Sequence, residues 1–208
     1  LKKLIESKKG LILITGPSGS GKSTTLASMV EELNSTKNLN IITLEDPIEY
    51  LFKSKKSLIR QREIGRDTHS FAQGLKSVLR QDPDVIMVGE LRDRESIAAA
   101  LTASETGHLV LGTLHTNSAS ETISRIVDVF PTEEQNEIRV KLATTLKGVV
   151  SQRLVRTKER RRGAYEILLS IPAVSNLILG NKLNQIDSEK LFRGLIFSKY
   201  NFQRRVYR

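Results

Sequence analysis

The densest chemical signal in the chain is the run Gly16-Pro17-Ser18-Gly19-Ser20-Gly21-Lys22-Ser23, with Thr24 following. Glycines at this spacing let the backbone curl so that successive N–H groups face one point, which suits phosphate oxygens. A helix opening near Lys22 adds its positive dipole end. In this pattern Lys22 reaches the β- and γ-phosphates of a nucleotide and the Ser23 hydroxyl ligates Mg²⁺. The bland counterpart is a chance Gly/Ser-rich turn, but here four fixed positions sit between a strand and a helix.

Other polar clusters follow apolar runs. Asp84-Val85-Ile86-Met87-Val88-Gly89-Glu90 ends in a carboxylate that would hold Mg²⁺ through water or orient an attacking water. Glu45-Asp46-Pro47-Ile48-Glu49 puts three carboxylates within five residues, and Pro47 biases Asp46 away from helix. Carboxylates this close repel unless a cation or guanidinium sits among them, so the segment reads either as an acidic turn or as part of a cation site. His108 and His115 bracket a fourth apolar run, Leu109-Val110-Leu111. A γ-phosphate contact suits His115, a structural or a functional role suits His108, and His69 reads as structural. Arg60, Arg62 and Arg66 read equally as a basic face and as the source of an arginine supplied to a neighbouring nucleotide site. Arg153, Arg156, Lys158 and Arg160-Arg161-Arg162 read as a solvated loop.

These clusters need elements to position them. Leu11–Ile14, Ile41–Leu44, Val85–Val88 and Leu109–Leu111 read as strands. Helices are predicted over Ser23–Leu33, Ser70–Leu79 and about Asp93–Glu105, the last stopped by Gly107. Asn34–Asn38 reads as a polar break, and the Lys53, Lys55, Lys56 stretch as a basic connection. Ser118-x-x-Glu121 and Thr132-x-x-Gln135 have capping-box spacing and predict two further helix starts. Strands alternating with helices predict an α/β fold with a mainly parallel sheet covered on both faces. The carboxyl ends of such strands share one edge, where ligands bind, so the four polar clusters converge in space though scattered in sequence. From Thr132 the chain is expected to be mostly helical, with one strand near Ala164–Leu169.

The chain has 208 residues, 33 Lys and Arg against 23 Asp and Glu, and no cysteine or tryptophan. Without cysteine there is no disulfide framework, no thiol nucleophile and no zinc site built on Cys ligands. No apolar run approaches the ~18–20 residues of a membrane span, and the first residues show no secretory signal. The net charge of +10 leaves nucleic acid, a membrane surface or an acidic partner open. An aromatic content of 5% offers little platform for stacked bases.

The glycine-rich loop, Ile41–Tyr50, Gln61-Arg62-Glu63-Ile64-Gly65, Asp82–Glu90, and Gly107-His108 through Thr113-Leu114-His115-Thr116 run in this order. Together they resemble the superfamily of motor ATPases of type II secretion, type IV pili and type IV secretion over about Leu1–Ile178. The resemblance is nearest to the retraction ATPases of type IV pili. It implies a RecA-like P-loop core of residues 1–131, a helical C-terminal subregion of the same domain at 132–190, and an atypical basic and aromatic tail at 191–208. The family's N-terminal PAS-like domain is expected to be absent from the chain.

By the same resemblance Gly16–Thr24 binds ATP, Ser23 and Glu90 hold Mg²⁺, Glu49 is the catalytic carboxylate, and Glu90 ends the Walker B strand. His108 and His115 form a His-box pair, Glu45 and Asp46 belong to the nucleotide site, and Arg62 lies near a subunit interface as a catalytic arginine. The implied assembly is a homo-oligomer, in the family a hexamer. It acts on an inner-membrane pilus platform protein, is cytoplasmic and peripheral at the bacterial inner membrane, and has no specific nucleic-acid partner. Extension and many type II secretion ATPases carry a tetracysteine zinc element after the His box. Here Gln152-Arg153-Leu154-Val155 runs within about ten residues to Gly163-Ala164-Tyr165-Glu166, leaving no room for it. No zinc is therefore expected, and retraction is favoured over extension or secretion. Pro172–Ile178 aligns with a retraction signature but has Ser175 where arginine is usual. A nucleic-acid-dependent RecA-like motor is the remaining alternative.

Overall fold

The computed structural model describes residues 1–156, 161–189 and 192–194. The run Gly10–Thr15 forms β1 and leads through Gly16–Gly21 into α2, Lys22–Thr36, with α1, Lys2–Ile5, ahead of it. Then come β2 (Asn40–Glu45), β3 (Leu58–Glu63), α3 (Phe71–Val78), β4 (Val85–Val88), α4 (Arg94–Glu105) and β5 (Leu109–Leu114). After α5 (Ala119–Asp128) and α6 (Thr132–Thr145), a long hairpin of β6 (Leu146–Arg156) and β7 (Arg161–Leu169) precedes α7 (Pro172–Leu179) and β8 (Phe192–Gly194). Among the described residues one sheet of eight strands runs in the order β3-β2-β4-β5-β1-β6-β7-β8. Pairing is parallel from β3 to β6 and antiparallel for the last two pairs.

The apolar runs are continuous because alternate residues enter two cores. Leu11 and Leu13 of β1 join Ile86, Val88 and Val110 beneath α3–α7, whereas Ile12 and Ile14 join Val85, Met87 and Leu111 beneath α1 and α2. Each layer is dry, with Ile12, Leu13, Ile14 and Ile86 fully buried. The predicted α/β architecture with a mainly parallel sheet is therefore what the chain adopts.

Two expectations are corrected, and one strand has no counterpart in the sequence pattern. The stretch after the Lys-rich connection is a strand, β3, although it reads Leu-Ile-Arg-Gln-Arg-Glu. It is an edge strand with Leu58 and Arg60 in solvent, and its backbone pairing with β2 decides its conformation. The region from Thr132 holds a second strand besides the one expected near Ala164–Leu169: β6 spans eleven residues ahead of the nine of β7. Lys147, Gly148, Ser151 and Gln152 interrupt the apolar pattern of β6, which is strand because its backbone completes the parallel ladder of β1. The same pairing continues the core sheet directly into the C-terminal segment. Finally, α2 runs through the expected break at Asn34, because that side chain is buried and donates to Glu31 and to the Lys53 carbonyl.

The capping predictions divide. Ser118 caps α5 by accepting from the Glu121 N–H at 3.2 Å. Thr132 is instead the first residue of α6, and Gln135 reaches back to the Phe130 carbonyl. Of the arginine cluster, Arg153 and Arg156 lie on β6 and Arg161 and Arg162 on β7, while Lys158 and Arg160 fall outside the described residues, as does nearly all of the 191–208 tail. Ser175 faces α6, donating to the Ala143 carbonyl at 3.0 Å. Among the described residues no helix is long and apolar enough to cross a membrane.

On α6 the buried side decides stability. Leu142→Ala should cost about 2–5 kcal/mol, whereas Val140→Ala, on the solvent side, should change stability by no more than about 0.5 kcal/mol. Equilibrium denaturation of the two variants checks the packing of α6 on the sheet.

Candidate active site

The loop between β1 and α2 turns the chain inside six residues, and two glycines make the turn feasible. Gly16 has φ +146°, and a Cβ there would lie 2.1 Å from the Gln152 carbonyl oxygen of the neighbouring strand. Gly21, the N-cap of α2, has φ +89°, a left-handed conformation that an L side chain resists. Pro17, Ser18 and Gly19 form the exposed crest, tied by the Ser20 N–H bond to the Pro17 carbonyl, while Ser20 is buried. The first turn of α2 places Lys22, Ser23 and Thr24 beneath the crest with unpaired helix N–H groups.

Lys22 is buried and its ammonium donates to the carbonyls of Gly16 at 2.8 Å and Pro17 at 3.2 Å, so it spans the loop. Burial lowers its pKa, and the charges of Glu90 and Glu49 oppose that fall. The Ser23 hydroxyl donates to Glu49 Oε1 at 2.9 Å, and the Thr24 hydroxyl lies 2.8 Å from the Tyr50 hydroxyl. Glu90, just beyond β4, is held at Oε2 by Arg92 at 2.6 Å and at Oε1 by His115 Nε2 at 3.3 Å. Backbone bonds fix that corner: Gly89 N–H donates to Leu44 O, and Leu91 N–H to Thr113 O. The loop, Glu49, Glu90 and His115 face one cavity of about 560 Å³. Ser23, Glu49 and Glu90 offer hard oxygen donors around Lys22, a set that fits Mg²⁺.

The three clustered carboxylates separate in space. Glu49 reaches Ser23, Asp46 is exposed, and Glu45 turns back into the sheet, buried, accepting from Thr43 at 2.6 Å and Gln61 at 3.0 Å. Burial raises the Glu45 pKa, against the lowering effect of those hydrogen bonds. Gln61 then secures the acidic loop, donating to Tyr50 O at 2.8 Å and accepting from Phe52 N–H at 2.9 Å. Glu63 adds a bond from Ile48 N–H. The edge strand β3, for which the sequence pattern predicts no element, is thus what holds Glu49 in place.

Two expected site residues are not brought to this cavity. His108 lies at the opposite end of β5, about 20 Å from His115 at strand rise. It closes α4: its N–H donates to Ala103 O at 3.2 Å, its Nδ1 lies 2.9 Å from the same oxygen, and Gly107 before it has φ +109°. This helix C-terminal turn accounts for the residue. Arg62 projects from β3 to Gln81 Oε1 at 2.9 Å and does not face the cavity of its own chain. Two residues that sequence reasoning did not select do matter. Arg92 sits two residues beyond Glu90 and pairs with it. Gln152 braces the loop from behind, and nothing in its flanking Ser151 and Arg153 signals that.

Because the raised Glu45 carboxyl binds its proton more tightly folded than unfolded, the stability it supplies is full below the usual carboxylate range. It is lost as pH rises through the raised value. Glu45→Gln should therefore flatten the fall in stability as pH rises out of the usual carboxylate range, read by urea denaturation across a pH series.

Residues 1–191 match the family described as type II/IV secretion system protein. A twitching motility protein of Neisseria gonorrhoeae is 55% identical over 188 residues, 89% of this chain and 50% of its own length. The type IV pilus retraction ATPase PilT of Pseudomonas aeruginosa is 53% identical over 188 residues, 90% of this chain and 55% of its own. The chain spans about half the length of these curated relatives. The crystal structure of the pilus retraction motor PilT with bound ADP superimposes with a TM-score of 0.87 at 57% identity, covering 89% of this chain and 55% of that one. A glycine-rich loop on a mainly parallel sheet, with carboxylates and a histidine around it and these matches along nearly its whole length, places the chain in the type II/IV secretion system protein family.

Proposed function

We propose that the chain is the catalytic part of a Mg²⁺-dependent ATPase that drives retraction of type IV pili. The observation that carries the reading is the Ser23–Glu49 contact beside Lys22, in a cavity that also receives Glu90 and His115. In this reading the loop N–H groups and the α2 dipole cradle the phosphates, and Lys22 exchanges its carbonyl partners for β- and γ-phosphate oxygens. Mg²⁺ bound near Ser23 and Glu90 would neutralise charge developing on the transferred phosphoryl group. Glu49, freed from the Ser23 hydroxyl, takes a proton from the water that attacks the γ-phosphorus, and the bond to the β–γ bridging oxygen breaks to release ADP and phosphate.

Glu90 orients that water and keeps His115 in reach of the γ-phosphate, while Arg92 offsets its charge. An arginine on a second copy completes the site, for which the Arg60–Arg66 edge is available on the exterior. The assembly is a homo-oligomeric ring, hexameric as in the family resemblance. It works at the cytoplasmic side of the inner membrane against the pilus platform protein. Retraction rather than extension is supported by the names of the relatives and by the direct β6–β7 hairpin standing where a zinc element would be inserted.

Removing the two charges at the loop separates binding from chemistry. Lys22→Ala should abolish measurable Mg–ATP binding, read by titration of a fluorescent nucleotide. Glu49→Gln should retain binding while turnover falls about 10²–10⁴-fold, the usual contribution of a general base. Wild-type turnover in purified Glu49→Gln protein would remove the catalytic assignment.

A further inference from the structure

Behind the phosphate-binding loop, on the side away from the cavity, a buried polar cluster joins α2 to the β6–β7 hairpin. Gln152 is only 1% exposed, does not line the cavity, and is used at both ends of its amide. Its Nε2 donates to the Ser20 carbonyl at 2.6 Å, and its Oε1 accepts from the Thr25 hydroxyl at 2.7 Å. The two partners flank the helix start: Ser20 precedes the N-cap and Thr25 lies at the end of the first turn. The amide therefore staples the loop to the helix across the bend where phosphate N–H donors are presented. The Gln152 main chain packs as closely. Its carbonyl would meet a Cβ at Gly16 at 2.1 Å, and its Nε2 a Cβ at Gly21 at 2.9 Å. Both pattern glycines thus accommodate Gln152 as well as phosphate.

The staple continues into the hairpin. Gln152 stands opposite Tyr165 in the antiparallel ladder, and Tyr165 packs against the same core beneath α1 and α2 that the start of α2 covers. One residue earlier on β6, opposite the end of β1, Ser151 Oγ accepts from the Thr15 hydroxyl at 3.0 Å. Glutamine supplies an uncharged donor and acceptor at this reach; methionine keeps the length with only a weakly accepting thioether, and asparagine is one methylene short.

We propose that Gln152 is a positioning residue that sets the curvature of the phosphate-binding loop and couples it to the β6–β7 hairpin. Nucleotide occupancy and hairpin order are then thermodynamically linked. Phosphate held by the loop N–H groups fixes Ser20 and Gly21; the staple passes that constraint to β6, and opening of the hairpin becomes less favourable. Linkage makes the effect reciprocal, so loosening the staple weakens nucleotide binding. The proposal rests on reading Gly16–Thr24 as the phosphate-binding loop.

The test pairs Mg–ADP titration with amide hydrogen exchange on the wild-type chain, Gln152→Met and Thr25→Val. In the wild type, Mg–ADP should slow exchange both in the loop and at Ser151–Leu154 with their β7 partners. In Gln152→Met, which removes both bonds of the amide, the Kd for Mg–ADP should rise about tenfold. Loop amides should still gain protection at saturation, and hairpin amides should not. Thr25→Val, lacking one of the two bonds, should show the same pattern at smaller size, and carries the test if the methionine variant does not fold. Hairpin protection in the variants equal to wild type, with Kd within twofold, would overturn the proposal even if the melting temperature dropped. A wild-type chain that does not bind Mg–ADP would overturn the phosphate-loop reading itself.

Discussion

The contact between β1 and β6 at the end of the strands, where the Gln152 carbonyl closes on Gly16, is the constraint on which the site depends. A chain leaving β1 must reverse into α2 while directing its N–H groups to one side and still pack against β6 on the other. No side chain fits at residue 16 under those conditions, and the left-handed N-cap at residue 21 is strained for any residue but glycine. Lys22 then closes the turn from within by bonding the carbonyls of Gly16 and Pro17. The loop is thus shaped by packing on both sides before any ligand enters.

The carboxylates are arranged around that loop by a second set of supports, and these lie on the edge of the sheet. Glu49 reaches Ser23 because Gln61 and Glu63 of β3 tie down the backbone on either side of it. Glu45, one acidic residue too many for an unscreened cluster, is withdrawn into the sheet, where its raised pKa reflects lost hydration. Like charges are thereby kept apart. Glu90 is compensated differently, by the guanidinium of Arg92 and the ring of His115. Polar residues from β2, β3, β4 and β5 therefore meet at one edge, as parallel topology dictates for strand carboxyl ends.

The parts of this arrangement readable along the chain were those with local causes. The phosphate-binding pattern is contiguous, so its loop and helix could be placed from Gly16, Gly21, Lys22 and Ser23 alone. The four buried strands announce themselves by apolar runs, and α5 by Ser118 and Glu121. β3 and β6 are different. Leu-Ile-Arg-Gln-Arg-Glu and Leu-Lys-Gly-Val-Val-Ser-Gln carry mixed patterns, because one lies at an edge and the other buries Ser151 and Gln152 against polar partners. Their strand conformation comes from ladder bonds to β2 and β1, whose sequences lie far away.

By itself the sequence determined the α/β class and singled out the glycine-rich loop and the candidate carboxylates, since each rests on residue types at short fixed spacings. Only the tertiary structure decided which of those residues meet. It placed His115 beside Glu90 and left His108 as the closing residue of α4, because the two histidines stand at opposite ends of one six-residue strand. It turned Glu45 inward and Glu49 toward Ser23, a division that depends on Thr43 and Gln61 rather than on the acidic run. It also brought Arg92 and Gln152 to the loop's two sides, through backbone pairing between strands separated by most of the chain. Proximity across a sheet is a property of strand order, and strand order is set by how two cores close at once.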